Sequence, residues 1–328
     1  DYGEVKGMRV VTRIVAVWVV LSLTLVGSVA SAAPKFPDKP INYIICFDPG
    51  GESDITARLQ QPFLEQVLGV KVVISYKTGG GGAVGWSELV RSKPDGYTIA
   101  GDNLPHTILQ PLQRGDAGYK TEQLKRVYCF ESTPNALVVR KDSPFKTLKD
   151  LIDYAKEHPE VVTLGGSGSW SANHLGVLEL NQAANVKLTY IPFTGSGAVV
   201  PALLGGHVTG LMTYTTMAVQ YKDQMRVLAV ASERRSAVLP DAPTFMELGY
   251  DLVEGAYRGV SVPPNTPDEV VRVLADAFEK VNRNPEFQKK MQQLAFDLEF
   301  MGPEDYEEFV QSRRTHYEKL LKDLGLLK

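Results

Sequence analysis

Ile41-Asn42-Tyr43-Ile44-Ile45-Cys46-Phe47, followed by Asp48-Pro49-Gly50-Gly51-Glu52-Ser53-Asp54, holds the pattern from which the fold is read. The first seven residues are β-branched, aromatic or apolar and read as a buried strand; the Pro-Gly-Gly run punctuates the chain. Apolar spacing from Ile55 to Leu68 then predicts a helix that stops at Gly69. Strand, glycine turn and helix start form one unit.

That unit recurs along the chain. Strands are predicted at Ile41–Phe47, Lys71–Ser75, Tyr97–Gly101, Ala136–Arg140, Val161–Leu164, Lys187–Ile191 and Arg226–Ala231. Helices are predicted at Leu148–Glu157, His174–Ala183 and Ala198–Leu204, and a C-terminal helical cover at Asp268–Asn282, Pro285–Leu294 and Pro303–Leu321. Alternation of this kind gives an α/β protein of mostly parallel sheets flanked by helices.

The chain has 328 residues, 44% hydrophobic and 22% charged, enough for two cores. Its net charge of -3, with both signs interspersed, offers no basic stripe for nucleic acid. At the N-terminus, Met8, Arg9 and Arg13 precede an apolar run from Ile14 to Val26, and Ala30-Ser31-Ala32 has small-x-small spacing. This reads as a signal peptide over residues 8–32 of a leader spanning 1–32, and hence as export; the apolar run is too short to span a bilayer. Cys46 and Cys129 both sit in apolar, strand-like runs, so buried free thiols are the plainer expectation and a disulfide the alternative.

Four glycine-rich turns carry the candidate chemistry: Asp48 to Asp54, Gly79 to Gly85, Gly165 to His174 and Phe193 to Ala198. Glycine lets the backbone approach a ligand, and unpaired N–H groups in a helix's first turn favour an anion. Small hydroxyls in the last two turns add donors for carboxylate oxygens. Each turn taken alone also reads as an ordinary strand-to-helix connection. The Gly79 run formally contains GxGxxG, but any glycine run does so and an exported chain would not meet a dinucleotide, so no cofactor is expected.

Ser169 with His174 invites a hydrolase reading, yet no GxSxG elbow is present and His174 is placed to stabilise a helix turn. His106, His158, His207 and His316 lack metal-ligand spacing, so neither catalysis nor a metal site is expected. Trp170 and Tyr257 read as pocket walls or core; Arg258 reads as a carboxylate clamp or as a partner of Glu254.

The runs Phe36 to Ile41, Pro49-Gly50-Gly51 with Asp54 and Arg58, Pro94 to Thr98, Ser167 to His174, Pro192 to Gly195, Leu203 to Gly206 and Pro263 to Pro267 are collinear over nearly the whole chain beyond residue 32. Together they resemble the tripartite tricarboxylate transporter receptors, also called Bug proteins. The resemblance implies a two-lobed type II periplasmic binding fold and a periplasmic, monomeric solute-binding protein. It also implies a small carboxylate ligand held in a cleft between the lobes and delivery to a two-subunit integral membrane permease. The lobes would be residues 34–135 plus 256–328, and 136–255. Carried over, the ligand set is Phe47, Gly50, Gly51, Ser53 and Asp54 in the first lobe and Ser167, Ser169, His174, Thr194 and Gly195 in the second. Asn103, His106 and Tyr214 would meet the ligand's distal end.

Glu52 stands where that family usually has a small residue, and Asp48 adds another acid beside it. Three carboxylates in one turn would repel an anion unless they are paired or point away. Solvated loop charges are the plainer reading of Asp48 and Glu52, and a partner for an amino acid's ammonium is the other. Di- and tricarboxylates, aromatic acids and amino acids stay open as ligands. The rival role is a periplasmic sensor that presents its closed form to a sensor kinase.

Overall fold

The computed structural model describes residues 36–327, so the expected leader lies outside the described residues. Among the described residues no helix is long and apolar enough to cross a membrane. The strands are β1 (Ile41–Ile45), β2 (Val72–Tyr76), β3 (Thr98–Leu104), β4 (Lys125–Arg140), β5 (Thr163–Gly166), β6 (Thr189–Pro192), β7 (Gly210–Tyr214), β8 (Met225–Val230), β9 (Gly255–Val262) and β10 (Asp297–Met301). The helices are α1 (Glu52–Leu68), α2 (Ala83–Arg91), α3 (His106–Gln113), α4 (Leu148–Glu157), α5 (Ala172–Ala184), α6 (Ser196–Leu204), α7 (Thr215–Gln220), α8 (Asp268–Asn282), α9 (Pro285–Gln293) and α10 (Pro303–Asp323).

The strands form one sheet in the order β2-β1-β3-β9-β4-β7-β5-β6, with β8 and β10 also paired to β4. Two parallel triplets lie at its ends: β1 between β2 and β3, and β5 between β6 and β7. Between them the pairing is antiparallel, through β9 and β4. Strand β4 belongs to both halves. Its residues up to Pro134 pair with β9, and from Asn135 onward they pair with β7 and β8.

Alternation along β4 decides the layers of the second half. Leu137 and Val139 face one way, into a core with Leu151 and Ile152 of α4 and Val177 and Leu180 of α5. Ala136 and Val138 face the other way, against Val199 and Leu203 of α6 and Met217 of α7. The first half is built alike: Ile44 packs on Trp86 and Leu89 of α2, while Tyr43 meets Phe278 of α8 edge-on, with centroids 6.2 Å apart. Successive strand residues point to opposite faces, so helices cover both.

Helix α1 ends where the sequence predicts, with Gly69 left-handed at φ 72° and its N–H bonded to Glu65 O. The strands β7, β9 and β10 and the first part of β4 are not marked by the sequence pattern. Arg126, Glu131, Thr133 and Arg258 lie inside β4 and β9 and are all buried, which removes the apolar alternation that would reveal a strand. Cys46 and Cys129 are buried free thiols, the first donating to Gly101 O and the second to Arg258 O.

Candidate functional site

The turn from β1 into α1 is closed from within. Gly50 adopts φ 81°, a left-handed conformation suited to glycine, and its N–H donates to Asp54 Oδ2 at 2.8 Å. Asp54 also accepts from Arg58 Nε at 2.8 Å and Tyr76 Oη at 2.5 Å. Its carboxylate is therefore used up in shaping the loop. Asp48 accepts a hydrogen bond from Thr194 Oγ1, which ties this turn to the one before α6.

The two turns meet closely. A Cβ placed on Gly51 would stand 3.0 Å from Ser196 Oγ, and one on Gly197 would stand 2.9 Å from both Gly50 C and Gly51 N. A Cβ on Gly195 would touch Phe47 Cβ at 3.3 Å. The N–H of Glu52, the first residue of α1, donates to Ser196 Oγ at 3.2 Å. The N-termini of α1 and α6, from opposite halves, thus face one cleft, and both carry partial positive charge.

On the flank, Asn103 at the end of β3 donates to Ser53 Oγ at 3.0 Å. His106 Nε2 lies 3.0 Å from Ser167 O. The carbonyl can only accept, so Nε2 carries the proton, and burial lowers this imidazole to about 4 and keeps it neutral. Ser167 Oγ reaches Asn173 Oδ1 at 2.7 Å and Tyr214 Oη at 3.1 Å. Of these contacts, the one between His106 and Ser167 joins elements of the two halves.

The floor holds an ion pair. Arg258 on β9 donates through Nη2 to Glu52 Oε2 and through Nη1 to Thr133 Oγ1 at 2.6 Å; Glu131 lies 3.8 Å from Nη1. The Tyr214 ring covers the guanidinium, 4.8 Å from centroid to Cζ. Thr216 of α7 donates to Glu52 Oε1. Two readings are corrected here. Glu52 is no solvated loop charge, being 1% exposed, and Arg258 pairs with it and not with Glu254, whose carboxylate meets Arg313 Nη2 at 3.3 Å. A buried arginine requires a buried anion, and the start of α1 supplies one.

Burial raises the Glu131 carboxyl to about 8, against the pull of Arg258 and with the push of Glu52. Glu52 is also raised by burial, opposed by Arg258, Thr216 and Thr133. One guanidinium cannot balance two buried carboxylates, so at neutral pH Glu131 carries a proton and Glu52, in direct contact with Arg258, carries the charge.

Of the residues singled out in the sequence, Phe47, Gly51, Ser53, Asn103, His106, Ser167 and Tyr214 line the cavity enclosed here, about 10 Å³ in volume. Gly50, Asp54, Thr194 and Gly195 lie in the turns that frame it and are not lining residues. Ser169 and His174 stand apart from it. The Ser169 carbonyl accepts from Gln110 Nε2 at 2.6 Å, while His174 Nδ1 accepts from Trp170 N–H and its ring stacks on Tyr190. Trp170 and Tyr257 pack in the core that contains Tyr306 and Tyr317. Ser196, Glu52 and Arg258 complete the lining. Ser196 follows the Thr-Gly pair directly, and its neighbours were the signal for it. Among the described residues no group of three or more side chains could hold a metal ion.

A two-lobed α/β chain of the type II periplasmic binding fold, with its ligand cleft between the lobes, defines a periplasmic solute-binding receptor. The pattern of the tripartite tricarboxylate transporter family receptor matches residues 56–326, and the chain belongs to that family. It is similar to the periplasmic binding protein BugD, with 29% identity and a TM-score of 0.84 over 89% of this chain and 100% of that one. An R. palustris protein solved with adipate is 25% identical, with a TM-score of 0.84 over 88% of this chain and 98% of its own. A TctC solute-binding protein from Polaromonas, solved with no ligand, is 26% identical but has a TM-score of 0.64 over 88% of this chain and 99% of its own. Members of this family are solute-binding proteins, which are not enzymes.

Proposed function

We propose that this receptor captures a small carboxylate by closing two lobes, residues 34–135 plus 256–328 and residues 136–255, and delivers it in the periplasm to a two-subunit membrane permease. The observation that carries the reading is the convergence of the α1 and α6 N-termini, from opposite halves, on one cleft. Backbone N–H groups there, with the hydroxyls of Ser53, Ser167 and Ser196, suit a single carboxylate. The carried-over ligand set is refined accordingly: Gly51, Ser53, Ser167 and Ser196 as donors, Phe47 and Tyr214 as walls, Asn103 and His106 at the flank.

Closure needs a hinge, and the two crossings lie side by side: Asn135 N–H donates to Glu254 O at 2.9 Å, and Pro134 stands opposite Gly255. The higher structural likeness to the adipate-bound relative than to the ligand-free one, at similar identity, supports the reading that the arrangement here is the closed one. A ligand favours that arrangement to the extent that its contacts to both lobes exist only there.

Gly197→Ala tests closure. Alanine suits this helical position, so the added methyl is felt mainly across the cleft, 2.9 Å from the Gly50–Gly51 peptide. The variant should keep its melting temperature but bind carboxylates at least about tenfold more weakly and lose ligand-induced compaction in solution scattering. Unaltered affinity and compaction would count against closure. Loss of carboxylate uptake on deletion of the gene checks the delivery step.

A further inference from the structure

The Glu52–Arg258 pair bears on what kind of carboxylate this cleft accepts, and the argument rests on the binding role proposed above. We propose that Glu52 makes the cleft selective for a carboxylate that also carries an amino group, a zwitterion of the amino-acid type, and turns away dicarboxylates.

Register places the charges. Arg258 pairs with Asn103 of β3 on one side and Glu131 of β4 on the other, so the three side chains share a face of the sheet beneath the first turn of α1. Glu52 drops onto that face and takes the guanidinium, while Thr133, Glu131 and the Tyr214 ring take its remaining sides. Only Arg258 Nε has no hydrogen-bond partner. The one cation that lines the cavity is therefore already matched by a protein carboxylate.

The other lining groups are neutral. His106 is held uncharged by burial, and the serines, Asn103 and Tyr214 are dipoles. Two helix starts, each equivalent to roughly half a positive charge, are suited to one ligand carboxylate. A second carboxylate on the ligand would meet no unbalanced positive charge and would face the Glu52 carboxylate at the floor. An ammonium would instead find an acceptor there: Glu52 has about four lone-pair sites. Three of them are engaged by Thr216, Arg258 and Thr133.

The discriminating experiment is calorimetry on the mature wild-type protein and on Glu52→Gln, with length-matched sets: succinate, butyrate, α-aminobutyrate and γ-aminobutyrate, then adipate, hexanoate, norleucine and ε-aminocaproate. In the wild type, an amino acid of one set should bind at least about tenfold more tightly than the diacid of that set. Glu52→Gln keeps the shape and removes the charge, and should shrink that ratio by about tenfold. A wild-type diacid that binds as tightly as its amino counterpart overturns the zwitterion proposal and leaves the carboxylate receptor standing. An unchanged ratio in folded Glu52→Gln overturns Glu52 as its cause. If Glu52→Gln does not fold, the wild-type ratio decides alone. Failure of every member to bind would sink both readings.

Discussion

Two buried arginines divide the molecule's polar chemistry between them. Arg126 on β4 pairs with Asp102 of β3 and Ser261 of β9, and Thr107 of α3 and Ser261 both donate to the same Asp102 carboxylate. All of these partners belong to the first half of the sheet. Arg258, equally buried, pairs with Glu52, whose other oxygen is held by Thr216, and lies under the Tyr214 ring; Thr216 and Tyr214 come from the second half. Similar chemistry therefore does different work. The Arg126 pair lies wholly within one half of the sheet, whereas the setting of the Arg258 pair is assembled from both.

The sharpest break of that comparison is Asp102→Ala, which strands a buried guanidinium. It should cost about 3–5 kcal/mol in urea unfolding and leave the ligand affinity of the folded protein within about twofold. A stability loss under about 1 kcal/mol would mean that the Arg126 pair is no structural anchor.

Next in size is the pH effect of Glu131 in the Arg258 cluster. The folded protein holds the Glu131 proton up to about 8, against an ordinary 4.5, so the folded state binds more protons across that window. Stability from this group is thus present below its ordinary value and declines as pH rises toward 8. Glu131→Gln keeps a partner for Thr56 and should flatten the decline by about 2–4 kcal/mol in unfolding curves taken near pH 5 and near pH 9. Parallel curves for variant and wild type would return the excess charge to some other group.

The smallest effect sharpens the contrast most. Thr216→Val removes the second half's hydroxyl from Glu52 and leaves the Arg126 cluster untouched. It should cost about 1–2 kcal/mol, with an increased radius of gyration in scattering and with the Glu52 carboxyl, deprived of a donor, raised further. An unchanged radius would detach Thr216 from closure.

How much of this was legible depended on whether a partner was local. The Pro49-Gly50-Gly51 and Gly195-Ser196-Gly197 turns announce themselves because glycine and helix starts are properties of adjacent residues. Five of the six strands in the parallel triplets follow from apolar runs of the same kind, β7 being the exception. The Glu52–Arg258 pair joins residues 206 positions apart, and neither end carries a mark of burial; an acid at a helix start reads most simply as a solvated charge. Strand β4 hid for a related reason. Its inward polar residues, Arg126, Glu131 and Thr133, are satisfied by partners brought from β3, α1 and β9, so the run lacks the hydrophobic signal of a core strand. His174 shows the opposite case: it sits in a promising motif, but its contacts are with Trp170 and Tyr190, away from the cavity.

Because β4 is a single strand sixteen residues long whose first part completes one half and whose second part completes the other, neither half is a finished sheet by itself. A fragment ending near residue 135 would leave β9's pairing partner in place but lose the return of β9 itself, exposing β3 and β4 as open edges prone to self-association. The architecture therefore resists being cut into independent modules: the two halves share one continuous strand, and neither can be completed without it.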